Sequence, residues 1–145
     1  MIVLANVYIP INQTPYTVGL HWPGLVLFAM IGELATFYAI QKGTAPFWDV
    51  VVSLAIANGC STIVGLILIM LVPSLAMTRN MAVVALSWFV ALILSIGIEY
   101  PVLLVFPRWR TSKRLLRAVV LSNAVSYAVL AIPMVFWLFI ALLAR

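Results

Sequence analysis

Four long runs of apolar residues, 23–41, 50–72, 81–106 and 115–144, are separated by short stretches where the polar residues collect. A helix that crosses the hydrocarbon of a bilayer needs roughly 20 apolar residues, and each run has that length. The pattern predicts four transmembrane helices and one all-α integral membrane domain over residues 1–145. Little of the chain is left over for a soluble domain.

Polar residues are rare inside the runs, and those present recur. Glu33, Asn58 and Ser61 are followed by Glu99, Asn123 and Ser126, at offsets of 66, 65 and 65 residues. The chain therefore reads as two related hairpins, approximately 23–72 and 81–144. Two spans per repeat give both repeats the same orientation, with any pseudo-twofold axis along the membrane normal.

Register supports this reading. Lys42 follows Glu33 by nine residues, as Arg108 follows Glu99; Asn58 follows Asp49 by nine, as Asn123 follows Arg114. At about 1.5 Å of rise per residue, all four polar groups lie roughly 13 Å inside the same boundary. Glu and Asn of one hairpin then reach a common depth. A carboxyl group there is expected to be mostly neutral, because desolvation disfavours the charged form. A neutral Glu and an Asn each offer a donor and an acceptor. Ser61 or Ser126, one turn further along, is placed to join its own pair. Two chemistries fit: polar contacts that fix the register of each hairpin, or a proton or cation site where the pairs face one another.

Small residues at close-packing spacings (Ala57 and Ser61, Ser61 and Gly65, Ser122 and Ser126, Ala124 and Ala128) sit on the Asn-bearing spans. They suggest that the second and fourth spans form the centre of the bundle. Pro101, two residues after Glu99, predicts a bend in the third span, with Ser95 one turn earlier placed to satisfy freed backbone groups. Pro133 predicts a similar bend in the fourth.

Composition agrees with the pattern: 66% hydrophobic, 8% charged, mean hydropathy +1.24. The charge of +5 is mostly a signal of orientation. Lys42, Arg108, Arg110, Lys113, Arg114 and Arg117 fall in the first and third connections, against Arg79 and Arg145 on the other side. That bias predicts cytoplasmic connections at 42–49 and 107–117 and both termini outside, with a bacterial inner (plasma) membrane taken as the default. Nucleic-acid binding is not expected. Arg108, Arg110, Lys113, Arg114 and Arg117 are candidates for contact with anionic lipid or a partner, and they also suit ordinary anchoring. Thr111 or Ser112 is placed to cap the fourth helix.

Residues 1–22 read as a segment at the membrane surface, with Tyr8, Tyr16 and Trp22 suited to the interface, or else as a frayed end. Trp48 and Trp109 at one end, and Trp22, Trp88 and Trp137 toward the other, fit interfacial belts. Cys60 stands alone, so no intrachain disulfide or cysteine metal motif is expected. His21 lies outside the first span, which argues against haem ligation within the bundle. No phosphate loop, zinc motif or nucleophile–base pair occurs. Neither catalysis, a cofactor nor a metal is expected. The sequence points first to a small non-catalytic subunit packed in lipid against membrane-protein partners. Its alternative is a small oligomeric transporter or proton- or cation-conducting unit that uses the Glu/Asn pairs.

Overall fold

The computed structural model describes residues 2–4, 7–9, 22–71 and 81–143. A short antiparallel strand pair, β1 (Ile2–Leu4) with β2 (Val7–Ile9), places Val3 opposite Tyr8. The other described elements are helices: α1 (Trp22–Gln41), α2 (Phe47–Leu71), α3 (Met81–Val105), α4 (Pro107–Arg110) and α5 (Leu115–Leu143). Four of them, α1, α2, α3 and α5, are long and apolar enough to cross a membrane. They mark the chain as an integral membrane protein. Tyr16, His21, Arg79 and Arg145, and the side chains of Tyr8, Trp22, Pro133 and Trp137, lie outside what is described.

The helix ends have local causes. Gly43 takes φ +86°, a backbone state that side chains with a Cβ avoid, and ends α1 in a turn closed by the Thr44 amide on the Gln41 carbonyl at 2.9 Å. The second helix begins at Phe47, three residues before the apolar run. The Pro46 carbonyl accepts from the amides of Asp49 and Val50, and Asp49 stands in the first turn, where negative charge is favoured. The first connection is thus 42–46 and not 42–49. Phe106 is extended (φ −77°, ψ 123°), as a residue before proline should be, and it separates α3 from α4. Within 107–117, one helical turn and the start of α5 replace an open loop. α3 runs through Pro101 without a break in its helix.

The bundle is a ring. α1 packs most extensively on α5 and α2 on α3; the α3–α5 and α1–α2 interfaces are smaller. The two Asn-bearing helices, α2 and α5, lie across the ring from each other and do not form a shared centre. Close approach is made instead by α1, where a Cβ on Gly32 would stand 3.1 Å from Val125 Cγ1 of α5. Ala124 and Ala128 face outward, so that proposed packing pair is not part of the interior. Large apolar side chains such as Phe28, Trp48, Leu71 and Phe89 cover the outside. With lipid tails as solvent, such exposure carries no hydrophobic penalty.

Candidate functional site: a buried Glu–Asn–Ser ring

The polar residues of the spans turn inward. Glu33, Ser61, Glu99, Asn123 and Ser126 are buried, with Glu99 and Asn123 fully enclosed, and Asn58 is half-buried. Within the first hairpin Asn58 Nδ2 donates to Glu33 Oε1 at 2.8 Å. Within the second, Asn123 Nδ2 donates to Glu99 Oε2 at 2.5 Å. These are the pairs that common depth predicts.

The serines do something different. Each was expected beside the Glu of its own hairpin, but Ser61 Oγ donates to Glu99 Oε1 at 3.2 Å, and the Ser126 hydroxyl bonds to Glu33. The cause is the order of helices around the ring, which sets each Asn-bearing helix most closely against the Glu-bearing helix of the other hairpin. Each Glu therefore takes an amide from its own hairpin and a hydroxyl from the other. The same hydroxyls also reach back to the carbonyls of Asn58 (3.1 Å) and Asn123 (3.0 Å) one turn earlier.

Burial follows the same offsets. Adding 66 to Ala29, Glu33 and Phe37 gives Ser95, Glu99 and Leu103. Adding 65 to Val50, Ser53, Leu54, Ala57 and Ser61 gives Leu115, Ala118, Val119, Ser122 and Ser126. Every one of these residues is buried.

The second hairpin carries further polar contacts. Tyr127 stands within electrostatic reach of both carboxyl groups; its hydroxyl meets Ser95 Oγ at 3.1 Å and its ring meets Trp88 edge-on. Ser95 thus serves the tyrosine. Neither amino acid type nor spacing announced Tyr127, since Thr62 stands at the corresponding place in the first hairpin.

At the end with the short connections, Ser112 Oγ donates to Gln41 Oε1 at 2.8 Å. Arg108 pairs with Asp49, and Arg110 Nε donates to the Leu104 carbonyl at 2.9 Å. The two connections are joined to each other. Lys42, Lys113, Arg114 and Arg117 are exposed there. Trp109 is not a belt residue: it is 1% exposed and stacks edge-on against Phe37 at 5.5 Å. Trp48 is 72% exposed. Among the described residues no cluster of three or more His, Cys, Asp or Glu could hold a metal ion.

No family model, curated protein or solved structure matches this chain.

Proposed function

We propose that this chain is a small non-catalytic subunit of a larger membrane complex, built from two related hairpins clamped face to face. The observation that carries the reading is the ring itself. Strongly polar side chains of the spans bond to one another inside the bundle, and the outside is left apolar, ready for lipid or partner helices. Interhelical hydrogen bonds in membranes average about 0.6 kcal/mol, too little to supply the stability of the bundle but enough, at four crossings, to select one packing.

The matched burial at offsets of 66 and 65, together with the exchange of serines, supports the two-repeat architecture. Rotation by half a turn about an axis along the membrane normal would carry Glu33–Asn58–Ser126 onto Glu99–Asn123–Ser61. The joined, basic connections support a cytoplasmic location for that end, in a bacterial inner membrane. Lys113, Arg114 and Arg117, exposed beside the boundary, are the residues best placed for anionic headgroups or an acidic partner surface; Arg108 and Arg110 are already engaged within the chain.

Native mass spectrometry after gentle solubilisation tests this. The subunit reading predicts other membrane proteins bound at fixed stoichiometry. Recovery of the chain alone, as monomer or homo-oligomer, contradicts it.

A further inference from the structure

The end of the bundle that carries the short connections holds more positive charge than the chain's own acidic side chains can meet. There are three Asp and Glu residues. Glu33 and Glu99 lie inside the spans, and Asp49 is paired with Arg108. Arg110 turns to the Leu104 carbonyl. Lys42, Lys113, Arg114 and Arg117 stand exposed beside them.

Two contacts bring these cations to one place. The side chains of Gln41 and Ser112 are bonded at 2.8 Å, which sets the neighbouring residues Lys42 and Lys113 side by side. Below them α1 packs on α5 more extensively than any other pair of helices, with Gly32 against Val125. The outer faces follow from those two residues. At about 100° per residue, Ala35 and Ala39 lie within about 60° of Gly32, and Arg117, Leu121 and Ala128 within about 80° of Val125. All five are exposed. The outside of the α1–α5 seam is therefore basic at its boundary and apolar along its length, and alanines on both helices keep it low.

We infer that this seam holds an anionic phospholipid, its phosphate between Lys42 and Arg114–Arg117 and an acyl chain over Ala39 and Ala128. An acidic protein segment would answer the charge alone; a phospholipid answers both parts of the surface. The guanidinium forks of Arg114 and Arg117 suit phosphate oxygens. The N-terminus of α5 at the same place adds a field that favours negative charge. The site deepens the reading of the basic end given above, and rests on that end lying at a membrane boundary.

Native mass spectrometry of the purified chain, released from micelles of mixed phosphatidylglycerol and phosphatidylcholine, tests the site. One phosphatidylglycerol is expected to be retained in preference to phosphatidylcholine. Lys42→Gln with Arg117→Gln is expected to weaken that retention roughly 25-fold, about fivefold for each cation. Arg110→Gln removes the same charge at the same end and is expected to leave retention nearly unchanged. Ala39→Phe with Ala128→Phe, which keeps every charge, is expected to weaken it by filling the seam. Equal retention of the two lipids overturns the proposal, as do equal losses from Arg110→Gln and Arg117→Gln, or no loss from the alanine variant. Displacement of the lipid by inorganic phosphate or by a hexaglutamate peptide also overturns it, in favour of a free anion or an acidic partner surface. Partner proteins take no part in this measurement, so its failure leaves the subunit reading standing.

Discussion

Trp109 and Trp48 show how little a residue's type says about its place. Both lie near the same end of the bundle, yet Trp109 is enclosed against Phe37 while Trp48 is almost wholly exposed. The difference comes from α4, a single turn started by Pro107 that folds the indole under the helices. Trp109→Ala should therefore cost about 3 kcal/mol of unfolding free energy, and Trp48→Ala less than about 0.5 kcal/mol, measured by reversible unfolding in mixed micelles. Equal small losses would mean that Trp109 lies at the surface. Gly32 sets a second test. Its missing Cβ admits Val125, so Gly32→Ala should destabilise by about 1 kcal/mol through overpacking, and Val125→Ala in the same chain should recover most of that. A loss that Val125→Ala leaves untouched would place the effect in backbone freedom. The Asp49–Arg108 pair, in contrast, is half-exposed, and Asp49→Ala should cost less than about 1 kcal/mol.

The elements themselves were legible because their signals are long. Four apolar runs near the thickness of a bilayer gave four helices, with ends displaced by a few residues where Pro46 and Phe106–Pro107 control the backbone. The Glu–Asn pairs were legible for the same reason, since a helix of fixed rise converts equal sequence distance into equal depth. The exchange of Ser61 and Ser126 between hairpins was not. Depth says which residues meet a plane and nothing about which helix stands next to which around the ring. That order is decided by close packing, such as Gly32 on Val125, which involves residues with no distinctive pattern. Buried contacts between single polar groups, Gln41 with Ser112 and Ser95 with Tyr127, were hidden likewise. The ring order has its own test. In a Cys60→Ser background, Gly32→Cys with Val125→Cys should form a disulfide under mild oxidation, joining α1 to α5. Gly59→Cys with Ala124→Cys, both on outward faces of α2 and α5, should not crosslink within one chain. The opposite result would place α2 beside α5.

Taken whole, the described spans combine an apolar outer face with an interior where two hairpins exchange one hydrogen bond each. The Glu–Asn bonds close each hairpin; the Ser–Glu bonds close the hairpins on each other. If that clamp selects the packing, its energy must be shared between residues far apart in sequence, and both halves must contribute alike. Double-mutant cycles on unfolding read this directly, using Ser61→Ala with Glu99→Leu and Ser126→Ala with Glu33→Leu. Both cycles should give a favourable coupling of about 0.6 kcal/mol, the usual size for such bonds in membranes. Additivity in both cycles to within about 0.3 kcal/mol would mean that the serines do not hold the opposite hairpin, and the clamp would be contradicted.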